Sequence, residues 1–239
     1  MKSIIFSTSI FFLFSFQADA QISERSSGYS YVGLGYSLVA FTDGVVSDIY
    51  PFLNFRNGSF MTDLNLFYGY RINDDIAIEL SPSMIFTTGY DLPGYNYEEN
   101  GVTKYHIPQD ARLFMAPLNI NLKYFPFSSS ERGDAIKSAY LTIGGGGTYI
   151  REEYTNFIYS GNPVNPQGTY EDTKTYTESA WAPDIVFGAG ILSTGVFGYG
   201  VEVNYRMVFT SRDNSTPLAL SRANNFNSIN FTLKGTFSF

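Results

Sequence analysis

The sequence has no cysteine in its 239 residues and few charged residues, which make up 15% of the chain. Without cysteine, no disulfide and no thiolate metal site can form, and lipid cannot be attached through a cysteine at a cleavage site. The formal net charge is −7, which argues against nucleic acid as a partner because phosphate backbones are bound by basic surfaces. We also find no motif that predicts a cofactor.

Long hydrophobic runs are scarce as well. The apolar stretch Ile4–Phe16 precedes Ala18–Ala20, which has the small-x-small pattern of a signal-peptide cleavage site. The stretch is shorter than the roughly 20 residues that a membrane-spanning helix needs. We therefore predict a cleavable secretory signal peptide at residues 1–20 and a single domain over residues 21–239.

Aromatic residues and glycine are abundant instead. The chain has 19 Tyr, 22 Phe and 22 Gly, and aromatic residues make up 18% of it. Aromatic residues at this level suit the interfacial girdles of a membrane β-barrel. The mean hydropathy is near zero, as expected when each strand has one face toward lipid and one toward a polar lumen.

The final segment, Ile229–Phe239, shows this two-faced pattern most clearly. Apolar and polar residues alternate along it, so a strand would carry its apolar side chains on one face and its polar side chains on the other. A strand between lipid and a polar lumen has this pattern. We predict that Phe231, Leu233, Phe237 and Phe239 form the signal by which outer-membrane assembly machinery recognises the last strand.

Eight segments of the chain share this alternation, each long enough to cross a membrane at a tilt. They are Tyr29–Phe41, Phe60–Ile72, Ile76–Thr87, Ala111–Phe125, Ala139–Arg151, Ala180–Leu192, Gly198–Ser211 and Phe226–Phe239. The pattern predicts an all-β fold, an eight-stranded antiparallel transmembrane up-and-down β-barrel. A soluble β-sandwich would also alternate, but it would not order its connections as this chain does.

The connections alternate between long and short. The long polar ones are Thr42–Ser59, Thr88–Asp110, Glu152–Ser179 and Arg212–Asn225, and the short ones are Asn73–Asp75, Pro126–Ser138 and Ser193–Phe197. Long extracellular loops and short periplasmic turns are typical of bacterial barrels. Within the second turn, Ser128–Gly133 is a candidate for a short helical piece.

These features together resemble a known class of proteins. The signal peptide, the eight segments, the stretch Pro117–Phe125 and the terminal Phe239 are similar to the small eight-stranded outer-membrane barrels of the OmpA transmembrane-domain, OmpX and OmpW type. The resemblance implies a bacterial outer-membrane location. The partners it implies are outer-membrane lipid, lipopolysaccharide and the assembly machinery.

The phase of the alternation places several charged side chains in the lumen. They are Arg71, Glu79, Lys123, Glu202, Arg206 and Lys234, with Asp184 on the same face of its strand. Eight strands leave an interior just wide enough for side chains, so we expect opposite charges to pair and plug the barrel. The alternative for any one of these residues is that its side chain lies at the rim of the barrel and is solvated by water.

Some small barrels are lipid A-modifying enzymes, so the single histidine requires attention. His106 lies in the second predicted loop, with Pro108 two positions on and no serine close behind it. The His-x-Ser arrangement of the deacylase barrels is therefore absent, and a base without a positioned nucleophile does not predict hydrolysis. We predict an exposed loop histidine, no catalytic residue and no enzyme activity.

Metal and phosphate sites are not predicted either. Gly144–Gly147 lacks the Gly-Lys-Ser/Thr continuation of a phosphate-binding loop and lies within a predicted strand, so its role is structural. The pairs Glu98–Glu99 and Glu152–Glu153 could bind a cation loosely, but solvated loop charge is the expected state.

Two functions remain. The first is a structural or surface-interaction barrel for adhesion or recognition, with a plugged lumen and long loops such as Tyr90–Tyr105 and Tyr154–Tyr176 that meet a surface ligand or receptor. The alternative is a narrow conduit for small hydrophobic compounds, as OmpW-like barrels are thought to be. A filled lumen would favour the first, and a hydrophobic tunnel would favour the second.

Overall fold

The computed structural model describes residues 28–54, 59–60, 62–89, 92, 94–99, 101–129, 134–161, 168–193, 195–211, 213, 216 and 218–239. The predicted signal peptide, residues 1–20, lies outside these ranges. The strands in chain order are β1 (Tyr29–Phe41), β2 (Leu53–Asn54), β3 (Ser59–Phe60), β4 (Thr62–Arg71), β5 (Ile76–Gly89), β6 (Tyr95–Glu99), β7 (Val102–Tyr124), β8 (Ala139–Tyr159), β9 (Tyr170–Leu192), β10 (Phe197–Val208) and β11 (Ser228–Ser238).

Within these described ranges, three short helices accompany the strands. They are α1 (Gly44–Ile49), α2 (Asp134–Lys137) and α3 (Ala219–Arg222). None of the helices in the described ranges is long and apolar enough to cross a membrane. The predicted helical piece at Ser128–Gly133 extends into residues that are not described, and α2 begins directly after it.

Eight of the strands close into a barrel. In the ring β1, β4, β5, β7, β8, β9, β10 and β11, each strand pairs antiparallel with the next. The first and last strands then join, with Gly35 of β1 opposite Lys234 of β11. Closure satisfies the backbone hydrogen bonds that an open sheet edge would leave unpaired. The predicted eight-stranded up-and-down β-barrel is confirmed.

The outer face of the barrel carries a band of exposed apolar side chains. Leu34, Leu66, Ile120 and Leu233, for example, are 69%, 56%, 62% and 52% exposed, whereas the neighbouring inward residues are largely buried. Water would disfavour a continuous apolar belt of this kind, and the hydrocarbon core of a membrane would accept it.

Aromatic side chains mark one end of this band. Phe86, Phe114, Tyr149 and Trp181 lie on β5, β7, β8 and β9, and their rings form a continuous series of contacts with centroids 5.0, 6.2 and 5.4 Å apart. We call this row the aromatic girdle. Because such girdles lie at the membrane–water interface, the membrane-spanning part of β8 ends near Tyr149. We call this end of the barrel the upper end.

Three ring strands continue far beyond the girdle. β7, β8 and β9 have 23, 21 and 23 residues, and β6 pairs with the first residues of β7. We call the part of β6–β9 above Asp110 and Glu152 the projecting sheet. The prediction of polar loops at Thr88–Asp110 and Glu152–Ser179 was therefore wrong over much of both ranges, because Thr- and Tyr-rich polar segments pair as well as apolar ones do.

The upper lumen also differs from the polar lumen that the alternation predicts. Its buried inward residues are Val39, Ile85, Leu113, Met115, Ile150 and Val208. They pack against two connecting segments that fold back over the barrel mouth and contribute Val46, Ile49, Tyr50, Leu218, Leu220 and Phe226. We call α1 with Tyr50, together with residues 218–226, the cap. The interior is apolar here because these connections cover it.

Candidate functional site

The lower lumen holds four charged side chains in mutual contact. Lys234 Nζ lies 2.6 Å from Glu202 Oε2 and 3.4 Å from Glu79 Oε1. Lys123 Nζ donates to Glu79 Oε2 and lies 3.9 Å from Glu202. We call these residues the charge quartet. Two carboxylates and two ammonium groups balance, and the balance offsets much of the cost of burying charge.

Aromatic rings surround the charge quartet. The hydroxyls of Tyr31 and Tyr140 donate to two of its carboxylate oxygens at 3.1 and 2.6 Å. The two ammonium groups lie 4.7 Å from the ring centroid of Tyr140 and 5.1 Å from that of Phe67, within cation–π range. A Cβ at Gly69 would stand 2.0 Å from the Tyr31 ring, so glycine there makes room for the ring. Neither tyrosine was predicted as part of the charge network, although their inward phase could have identified them.

The two predicted arginines lie apart from the charge quartet. Arg71 Nε donates to the carbonyl of Asn73 at 3.3 Å, and its guanidinium lies 3.9 Å from the Phe125 centroid, so it closes the lower turn. Arg206 is buried higher in the lumen near Asp63, with which it interacts electrostatically. Within the described residues, its Nε and Nη1 atoms make no hydrogen bond. The predicted six-residue network is thus four residues plus two separate arginines.

A polar belt fills the middle of the lumen. Asp184 is buried and accepts hydrogen bonds from Asn119 Nδ2 and Thr148 Oγ1. Further hydrogen bonds cross the lumen among Ser37, Asn65, Thr232, Asn204 and Asn230. The interior therefore has three levels: the charge quartet, this polar belt and the apolar core beneath the cap.

One carboxylate is buried where the barrel meets the cap. Glu152 is fully buried, accepts a hydrogen bond from Tyr50 Oη at 2.8 Å on Oε1 and accepts another from the Leu220 amide at 2.7 Å on Oε2. The expectation of solvated loop charge at Glu152–Glu153 was therefore wrong for Glu152, whereas the Glu153 side chain is 33% exposed. Successive strand residues face opposite sides, so Glu153 points outward and the two glutamates form no cation site.

Burial raises the pKa of Glu152 to about 7, and the hydrogen bonds from Leu220 and Tyr50 oppose that shift. The residue lies three positions beyond Tyr149, above the membrane-spanning part of β8. Burial also raises the pKa of Tyr50, as does the neighbouring Glu152 carboxylate. Glu152 thus binds both segments of the cap with neutral donors, and no lysine or arginine within the described ranges forms an ion pair with it. Asp43 joins the same segments directly, since it accepts from the Val45 amide at 2.9 Å and the Asn224 amide at 3.2 Å.

The single histidine is buried, contrary to the prediction of an exposed loop residue. His106 lies in β7 and is 1% exposed. Its ring stacks on Tyr95 at 5.7 Å and meets Tyr97 edge-on at 5.5 Å. The predicted loop around it is strand, so β6 covers the imidazole within the projecting sheet. Glu98 is exposed, as predicted, although it lies in β6 and not in a loop.

The predicted assembly residues lie together on the outside. Phe231, Leu233, Phe237 and Phe239 are all exposed on β11 or directly after it. The backbone of Phe239 exchanges two hydrogen bonds with Ser30, at 2.9 and 3.1 Å, and so extends the seam of the barrel. Their role in assembly stays a prediction.

No family model matches the sequence, and no curated protein matches it. Among solved structures, the chain is similar to Ail, the attachment invasion locus protein of Yersinia pestis, in complex with the heparin analogue sucrose octasulfate (12% identity, 89% of this chain and 99% of that one, TM-score 0.43). It is also similar to the outer membrane protein OprG of Pseudomonas aeruginosa (13% identity, 90% and 97%, TM-score 0.44) and to Neisserial surface protein A (11% identity, 87% and 95%, TM-score 0.38).

Proposed function

We propose that this protein is a bacterial outer-membrane barrel, exported by a signal peptide at residues 1–20, that holds a recognition or adhesion surface outside the cell. The observation that carries the proposal is the projecting sheet, which rises from a barrel whose lumen is filled at both ends. A rigid, membrane-anchored support with an elevated surface suits recognition better than transport.

The filled lumen supports this proposal over the conduit alternative. The charge quartet occupies the lower end, and the cap with its apolar core occupies the upper end. An eight-stranded barrel has no room for a water channel beside such side chains. In planar bilayers we expect the purified protein to show no large, steady conductance, and stable porin-like conductance would favour a channel instead.

The tip of the projecting sheet supplies a surface suited to binding. Tyr170 is 53% exposed, and its ring contacts those of Phe157 and Tyr159 at 6.0 and 5.8 Å. Exposed aromatic side chains contribute large contact areas at little cost in conformational entropy, which is why they dominate many recognition surfaces.

Adhesion by whole cells tests the proposal. Cells that display the protein should bind a host-cell monolayer, and a Phe157→Ala/Tyr159→Ala/Tyr170→Ala variant should lose most of that binding. The matched control is Thr155→Ala/Thr175→Ala/Thr177→Ala, which alters three exposed or half-exposed threonines on the same two strands. Different migration of heated and unheated protein in SDS gels checks that each barrel is folded. Equal binding by the aromatic variant and the wild type would reject the proposal.

We also infer that insertion depends on the last strand. Deletion of Phe239 removes the two backbone hydrogen bonds to Ser30 and one member of the predicted assembly signal. Export should continue, while the folded population in outer-membrane fractions should fall. Unchanged levels of folded barrel would count against this role.

A further inference from the structure

A cleft of about 380 Å³ lies on the outer wall of the barrel at the aromatic girdle. Its lining includes Phe86, Thr88, Arg112, Phe114, Arg151 and Glu153. These residues come from the outward faces of β5, β7 and β8, so the cleft opens toward the membrane interface and not into the lumen. Its lower part is apolar, and its upper part carries two guanidinium groups.

Strand register sets the height of the two arginines. Arg151 of β8 lies opposite Phe114 of β7. Two residues closer to the upper end on each strand, Arg112 lies opposite Glu153. Their side chains are 56% and 64% exposed. Because the girdle lies at the edge of the hydrocarbon core, both guanidinium groups lie at the level of lipid headgroups.

The acidic neighbours leave donors free on both arginines. Arg112 Nη2 lies 2.7 Å from Asp110, but Glu153 is 4.0 Å from Arg112 and 3.9 Å from Arg151, beyond hydrogen-bond distance. Each guanidinium has five N–H donors in a planar fork that matches a phosphate group. Asp110 lies two residues beyond Arg112 on the side away from Phe114, so the remaining donors of Arg112 and those of Arg151 are available to an anion at the level of the girdle.

We propose that this cleft binds a phosphate group of lipopolysaccharide in the outer leaflet, with an acyl chain lying on Phe86 and Phe114. The proposal rests on the outer-membrane orientation given above, in which the cap and the projecting sheet face outward. The guanidinium donors that no carboxylate accepts fit the phosphate, and the apolar floor continues into the lipid-facing band. A ligand with both parts, held at this height, is a lipid and not a soluble anion.

Binding of purified lipopolysaccharide to the folded barrel in detergent tests the site. The wild type should bind phosphorylated lipopolysaccharide, and R112Q/R151Q should bind it about tenfold more weakly or worse, because charge-assisted hydrogen bonds are lost. Dephosphorylated lipopolysaccharide should bind both proteins equally weakly. R112K/R151K keeps the charge without the planar fork, so it should restore only part of the affinity.

The matched control is K104Q/K137Q, which removes two positive charges outside the cleft and should bind like the wild type. Equal dissociation constants for the wild type and R112Q/R151Q would overturn the site. Equally tight binding of phosphatidylglycerol would overturn its assignment to lipopolysaccharide. The lipid assay uses folded protein in detergent and does not depend on adhesion. If cells that display the wild-type protein fail to adhere while the purified protein still binds lipopolysaccharide, only the recognition function is rejected.

Discussion

The two ends of the lumen bury glutamate in opposite ways. At the lower end, Glu79 and Glu202 each lie within 4 Å of two lysines. At the upper end, Glu152 accepts hydrogen bonds from a tyrosine hydroxyl and a backbone amide. The lower carboxylates are held in the charged state by opposite charge, and the upper one is not. We therefore expect the lower plug to be insensitive to pH near neutrality and the upper closure to respond to pH, because burial raises the pKa of Glu152.

The largest effect should come from breaking the charge quartet. Glu79→Ala leaves Lys123 and Lys234 buried with one carboxylate between them, which we expect to cost about 3–5 kcal/mol of unfolding free energy. Urea titration of the protein in micelles, followed by the SDS-gel shift, measures this cost.

A compensating variant sharpens that test. Glu79→Gln/Lys123→Met removes one charge of each sign and keeps similar volumes, so it should be much less destabilising than Glu79→Ala, because no unpaired charge remains. If both variants unfold at the wild-type urea midpoint, water reaches the site and the charge quartet does not plug the barrel.

The second effect concerns the cap and depends on pH. The pKa of Glu152 is raised from 4.5 to about 7 in the folded protein, so the folded state holds the proton more tightly than the open state. The stabilising contribution of the protonated carboxyl is complete below about 4.5. It is lost as pH rises toward 7, at up to about 1.4 kcal/mol per pH unit. Among the residues that the structure describes, Tyr50 and Tyr154 are the titratable groups that face this carboxylate, and both stay neutral in this range because burial raises their pKa.

Limited proteolysis of the cap at pH 5 and pH 8 measures the change. Wild-type protein should be cleaved in residues 218–226 faster at pH 8, while Glu152→Gln should be cleaved at rates that differ little between the two pH values. The control is Glu153→Gln, which changes the outward-facing neighbour and should keep the wild-type pH dependence. The same pH dependence in the Glu152→Gln protein would show that another group controls the cap.

The contrast between the two ends also explains what the sequence could predict. The positions of Glu79, Lys123, Glu202 and Lys234 follow from strand phase alone, because period two fixes which side chains face the lumen. Their grouping at one level follows from their similar distance to the lower strand ends. The lower half of the barrel was thus accessible to local pattern reasoning.

The upper half was not, because its interior depends on connections that fold back into it. One signal was available: Leu38–Phe41 and Leu113–Met115 are continuous apolar runs, and strands buried on both faces have such runs. In a membrane barrel, such runs indicate that the outward side chains face lipid and that the inward side chains face a packed apolar core. The burial of Glu152 has no local signature, because its donors come from residues about 70 to 100 positions away.

The smallest effect should come from an ion pair outside both ends. Lys104 Nζ lies 2.5 Å from Glu171 in the projecting sheet, with side chains 39% and 35% exposed. This N···O distance is comparable to the short ones in the charge quartet. Solvent nevertheless screens both charges, and water solvates each charged group when the pair is broken. Lys104→Ala should therefore lower the free energy of unfolding, measured by urea titration, by less than about 1 kcal/mol. Addition of 1 M salt should remove the difference between the variant and the wild type. Salt should leave the cost of Glu79→Ala nearly unchanged, because the side chains of the charge quartet are buried and screened little by dissolved ions. A Lys104→Ala cost as large as that of Glu79→Ala would mean that burial does not distinguish the two sites.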